Sequence, residues 1–461
     1  MEAFLQPLQG LAEFGEIKKR CGANCGILNV SGCMESQKVH LMYGLSGLFP
    51  YHLILADDER NAKEIYEDYR FYDKNVYFYP AKDLLFFQAD IHGNLLIRQR
   101  MRVIRALLEQ EEVTVVTSID GCMDFLMPLE KIRSRLLHFK SDSVIDLDQL
   151  KEELVELGYE RTGQVELPGQ FSVRGGIIDI YPLTEDNPWR IELWDDEVDS
   201  IRSFDAESQR SLENVDEITI YPAAEKMDGE DMVSFLDYFP EEKTLVFLDE
   251  LNHLAENGEG VEEEYRQSRM HREEKGEANL PEQWLCGFQE LQKKLNRRNC
   301  VAVSALSPRR SGWKINEEFD LTVKSVDSYN SSFELLVKDL LQYKRQGYRI
   351  ALLSGSRTRA ERLAKDLSEE GLNAFYSQDM DRIISPGEIM VVYGHARRGF
   401  QYPLIKFAVM TETDIFGKEQ KKRKKRKNTA ETGSRILRSF PLEILLFMKS
   451  MDWVFIVESK R

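Results

Sequence analysis

No apolar stretch in this sequence is long enough to span a bilayer; the longest, among them VTVVTSI and IALLSG, are the size of single strands. No membrane partner is therefore expected. The opening residues, MEAFLQPLQGLAEFGEIKKR, lack the continuous apolar core and cleavage site of a secretory signal. Cysteine is scarce, with six residues scattered over 461, so a disulfide framework is excluded and a reducing cytoplasm is the expected compartment. Cys21 and Cys25 lie close together, but no second Cys or His pair stands at zinc-ligand spacing, and no metal is expected. The seven histidines are dispersed, and His253 and His271 fall in polar helical stretches that read as solvated. Gly-x-Ser-x-Gly and His-Glu-x-x-His are both missing, which removes the commonest hydrolase signatures. Positive charge is also short. A net charge of −17 argues against a protein that meets DNA with its whole surface, though a local basic patch remains open.

What is present is an α/β chain long enough for about three domains. CGILNV, HLILAD, VYFYP and VTVVTS read as strands, and RNAKEIYEDYRFY and GNLLIRQRMRVIRALLEQ as amphipathic helices between them. Strand–helix alternation implies a parallel sheet covered by helices. Near Pro128 the pattern changes. A helix, DLDQLKEELVELGY, precedes alternating strand-like segments with turn chemistry at Gly175–Gly176 and Asn187–Pro188, an antiparallel α+β unit. TLVFLDE resumes the α/β pattern, and a polar stretch after it reads as a helix or excursion. A second α/β unit runs to about Glu412, with one helix ended by Gly347 and another capped by Ser356.

A parallel α/β sheet invites a search for a phosphate loop, and NVSGCMESQKVHLMYGLS stands where one belongs. Gly32 and Lys38 are there, but the second glycine and the Lys-Ser/Thr pair are missing, and Val39 cannot ligate magnesium. Nucleotide hydrolysis is not expected. Asp249–Glu250, ending TLVFLDE, has the form of a Walker B relic, and equally of a buried strand leaving its sheet through polar residues. Arg190 and Trp194 are four apart on one strand and so share a sheet face, with Arg174 on a neighbouring strand. Arginine beside an exposed aromatic is the composition of an interface hot spot. The competing arrangement buries Trp194 and pairs Arg190 with Asp196 or Glu197.

The run V-x-x-P-G-Q-F-S-V-R-G-G-I-I-D-I-Y-P from Val165, then P-W-R-I-E-L-W-D-D-E-V-D-S-I-R-S-F-D and S-Q-R-S, resembles the N-terminal, UvrB-like portion of bacterial transcription-repair coupling factors. FYPAKDLLFF and TETDIFG extend the resemblance from the N-terminus to Gly417. It implies a degenerate RecA-like α/β domain split by an inserted UvrA-binding domain, with Arg174, Arg190 and Trp194 at the UvrA-contacting positions. The implied domains are 1–126 and 216–328 for the split domain, 127–215 for the insert, 329–415 for a small α/β domain and 416–434 for a basic linker. UvrB is the nearest alternative, as an ATPase subunit. It carries a working phosphate loop and a Tyr-rich hairpin, and FYPAKDLLFFQADIHGNLL is too short for that hairpin.

In the family a basic linker leads to an RNA-polymerase-binding domain and a two-lobed motor that uses ATP and magnesium to translocate on double-stranded DNA. Here KEQKKRKKRKN, with eight basic residues, leads to SFPLEILLFMKSMDWVFIVESKR. Met451-Asp452-Trp453-Val454, re-read one base earlier, yields His-Gly-Leu-Gly, part of the motif that opens the polymerase-binding domain. The expectation is a frameshift between about Thr429 and Pro441, with 435–461 out of frame. The other reading of this tail is an amphipathic helix anchoring the chain to a membrane or partner. The basic run reads as a solvated linker, with a DNA-binding arm as its alternative. The expected function is recruitment of UvrA in transcription-coupled nucleotide excision repair, with no enzymatic activity and no cofactor in this chain. Polymerase and DNA would engage the full-length protein.

Overall fold

The computed structural model describes residues 1–22, 25–82, 93–224, 232–274, 285–308 and 312–417. The basic run, the tail after it and most of the segment weighed against the UvrB hairpin lie outside these residues.

Seven parallel strands form the larger sheet, in the order Ile315–Asp320, Ile27–Ser31, Cys300–Val303, Thr244–Asp249, Tyr51–Ala56, Val113–Ser118, Val76–Tyr79. ILNVS, TLVFLD, CVAV and VTVVTS are buried along their whole length, as strands covered on both faces must be. The two strands after residue 299 were not among the expected elements. CVAV is only four residues long, and INEEFD is half-exposed at the sheet edge with few apolar residues.

The inserted unit is a six-stranded sheet in the order Ser211–Val215, Glu197–Phe204, Trp189–Trp194, Ile177–Ile180, Gln170–Arg174, Glu160–Arg161. Its ladders are antiparallel except the last, where Glu160 and Arg161 run parallel to Gln170 and Phe171. The helix Leu147–Glu156 starts where the Asp146 carboxylate accepts from the amides of Asp148 and Gln149. It packs Leu150 and Leu154 with Phe171, Ile178, Ile180 and Ile191 from the inner face of the sheet. Glu217–Ile220 pairs with Leu137–Lys140, so the chain leaves the unit beside the strand by which it entered.

The last α/β unit has a mixed six-stranded sheet ordered Lys324–Ser325, Phe400–Tyr402, Phe407–Thr411, Arg349–Ser354, Glu388–Tyr393, Asn373–Tyr376. Its first strand pairs Ser325 with Phe400, so this unit begins ahead of the expected 329. Gly347 ends the helix Phe333–Gln346 in the left-handed conformation at φ 77°, which a side chain would resist. Ser356 occupies the cap position of Arg357–Glu369, but its hydroxyl makes no capping hydrogen bond. No helix among the described residues is long and apolar enough to cross a membrane.

Candidate functional site

The outer face of the inserted sheet carries the three residues expected to act together. Strand alternation sends Trp189, Ile191 and Leu193 toward the core and Arg190, Glu192 and Trp194 outward. Opposite Arg190 the ladder places Asp179 on one side and Arg202 on the other, and Asp179 in turn faces Ser172. The ladder irregularity opposite Glu192 and Leu193 places its extra residue, Asp199, on the partner strand, so the alternation of Arg190 and Trp194 survives.

Asp179, 1% exposed, holds both expected arginines. Arg190 donates to it through Nε at 2.6 Å and Nη2 at 2.9 Å, and Arg174 through Nη2 at 2.7 Å. Arg190 Nη2 also donates to Gln209 Oε1 at 3.0 Å, and its guanidinium lies 4.3 Å from the centre of the buried Phe204 ring. The hydrogen bonds it donates to Asp179 hold the Arg190 guanidinium above its ordinary pKa, so it stays charged. Beside them Arg202 grips both oxygens of Glu192 and holds that carboxyl below its usual range. Three guanidiniums thus stand against two carboxylates in this cluster. Arg174 keeps 46% of its side chain exposed, and Trp194 is 81% exposed.

This arrangement overturns the competing one: Trp194 lies outside the core, and Arg190 pairs with Asp179, not with Asp196 or Glu197. Sequence reasoning also passed over Val144. It bridges Glu197, which faces Trp194 from the next strand, so two exposed apolar residues flank one carboxylate on a shared face. The signal for Asp179 was available: a lone acid inside the apolar run GIIDIY.

The phosphate-loop position is closed from within. Gly32 N donates to Ala305 O at 3.3 Å, Cys33 N to Ser304 O at 3.1 Å and Met34 N to Gln37 Oε1 at 3.0 Å, so three successive amides are engaged. Gly32 has a reason of its own: at φ 76°, an added Cβ would lie 2.1 Å from the carbonyl oxygen of Leu321. Lys38 Nζ lies 2.6 Å from Asp249 and 2.6 Å from Glu250. Burial pushes its ammonium toward neutrality and the two carboxylates more than reverse this, leaving its pKa above the ordinary lysine value. Asp249 accepts further from Asn61, and Glu250, left-handed at φ 56°, accepts from Ala305 N. The acids at the end of TLVFLDE are therefore not merely a polar exit from the sheet; they neutralise the lysine. Gln37, which accepts from the Met34 amide through Oε1, also donates through Nε2 to the Tyr402 hydroxyl of the last unit at 3.0 Å. His40, on the same helix, meets that hydroxyl through Nδ1 and the Phe4 carbonyl through Nε2. Since a carbonyl only accepts, Nε2 carries the proton and Nδ1 receives the tyrosine's. No cluster of metal-ligating residues occurs among the described residues.

Residues 137–225, which span the sheet bearing these arginines, match the UvrB interaction domain. The chain is similar to transcription-repair-coupling factors. It is 27% identical to the coupling factor of Bacillus subtilis, over 90% of this chain and 41% of that protein. A coupling factor of Staphylococcus epidermidis is 26% identical over 83% of this chain and 38% of its own length. That of Staphylococcus aureus is 25% identical over 79% and 36%. The chain thus spans about two fifths of the coupling factors it matches.

Proposed function

We propose that this chain is the UvrA-recruiting portion of a transcription-repair coupling factor, docking UvrA on the outer face of the inserted sheet. The observation that carries the reading is the side-by-side placement of an anchored arginine pair and an exposed Trp194 inside the segment that matches the UvrB interaction domain. An aromatic beside arginine, neither used up by the core, is what a protein interface takes for its centre. In the full-length protein this portion would bring UvrA to RNA polymerase stalled at DNA damage. Polymerase binding and ATP-driven movement on DNA would belong to regions beyond those described. The closed phosphate loop supports a chain that does not itself hydrolyse ATP. The test is calorimetric titration with purified UvrA. Binding weakened by about a hundredfold in the Arg174→Ala/Arg190→Ala double variant sustains the reading, and undiminished binding ends it.

A further inference from the structure

Asp179 is a buried carboxylate on the outer face of a sheet, where solvent would ordinarily hydrate it. Burying a carboxylate is unfavourable unless paired charges and hydrogen bonds satisfy it. Here three guanidinium N–H groups do so, two from Arg190 and one from Arg174. The ladder explains why one acid serves both. Asp179 is directly opposite Arg190 on one side, while Arg174 stands two residues along the other neighbouring strand and reaches it diagonally. Gln209, left-handed at φ 60°, and the Phe204 ring complete the seat of Arg190. Arg190 is thereby fixed with its side chain 13% exposed, and Arg174, tied to Asp179 through one nitrogen, stays 46% exposed.

We propose that Asp179 is the positioning residue of the UvrA-docking face, fixing Arg174 and Arg190 before the partner arrives. The inference rests on the docking reading above. Its physical content is preorganisation: a long side chain held in its bound geometry loses less freedom on binding. An unpaired Arg174 and Arg190, with Arg202 directly across from Arg190, would also repel one another and splay.

Two experiments separate this role from simple structural support. In the first, Asp179→Asn is titrated with UvrA in the native background and in the Arg174→Ala/Arg190→Ala background. A loss of about tenfold or more is expected in the first and under about twofold in the second, since truncating one partner of a buried charge pair is felt mainly through the other. Equal losses in both backgrounds, or none in the native one, would overturn the proposal. The second experiment requires no UvrA and no variant that must fold: the Nε–H resonances of the isolated chain. Arg190 Nε–H, bonded to Asp179, should exchange slowly, and Arg174 Nε–H rapidly. A rapidly exchanging Arg190 would refute the anchoring outright. If UvrA fails to bind the unaltered chain, the docking reading falls, while slow Arg190 exchange still establishes the anchor.

Discussion

Two charge clusters in this molecule are built from the same materials and end in opposite states. At the C-terminal end of the central strand of the parallel sheet, the buried Lys38 and Asp249 and the partly buried Glu250 are turned on one another, and the neighbouring amides are bonded as well. On the outer face of the inserted sheet, Arg174, Asp179 and Arg190 are just as tightly paired, yet Arg174 and Trp194 still face water. Pairing alone therefore does not separate a closed cluster from an open one. What separates them is whether donors and apolar surface are left over, and whether they can be reached.

The comparison can be broken hardest at Lys38. Lys38→Met strands two carboxylates in a buried setting and should destabilise the chain by about 3–5 kcal/mol, measured by urea unfolding; a loss under about 1 kcal/mol would mean the cluster is hydrated. Next comes His40, whose burial pushes its pKa down to about 4. The folded state keeps it neutral while the unfolded state protonates near pH 6.5, so its contribution is full above that pH and is lost as pH falls toward 4. About 3 kcal/mol should disappear across that window, and His40→Gln should flatten the curve. A native chain with level stability from pH 7 to 4 would contradict this.

On the other face the effects should appear in binding. Trp194→Ala should weaken UvrA binding by about 2 kcal/mol while shifting stability by no more than about 0.5 kcal/mol; a matching fall in melting temperature would place the tryptophan in the fold instead. Smallest of all is the response to ATP with magnesium. A ligand that binds the native state raises its melting temperature, so millimolar ATP should leave the chain's transition unmoved, and a rise of several degrees would show the phosphate loop to be open.

Much of this was legible in the sequence because it rests on periodicity. The strand–helix alternation, the switch to an antiparallel insert and the shared face of Arg190 and Trp194 follow from side-chain spacing. Cys300–Val303 and Ile315–Asp320 escaped because a four-residue run and a half-exposed edge strand carry little periodic signal. The pairing of Glu217–Ile220 with Leu137–Lys140 joins residues far apart in the chain, a choice that local spacing does not make. The partners of Lys38 and Arg190 are likewise long-range or cross-strand choices that local spacing cannot make. Gly32 shows the opposite difficulty: its presence suggested phosphate, whereas the approach of the Leu321 carbonyl explains it.

The hydrogen bond from Gln37 to Tyr402 limits how this loop could be rebuilt. Gln37 occupies the place of the second phosphate-loop glycine, and its side chain now serves both the Met34 amide and a residue of another unit. Replacement of Gln37 by glycine would break a contact between units without freeing Lys38 from its two acids. Restoring magnesium ligation at Val39 would then put a hydroxyl into a fully buried apolar site. Either change taken alone disturbs a contact or a packed site that the fold uses, so no single substitution opens this loop to a phosphate.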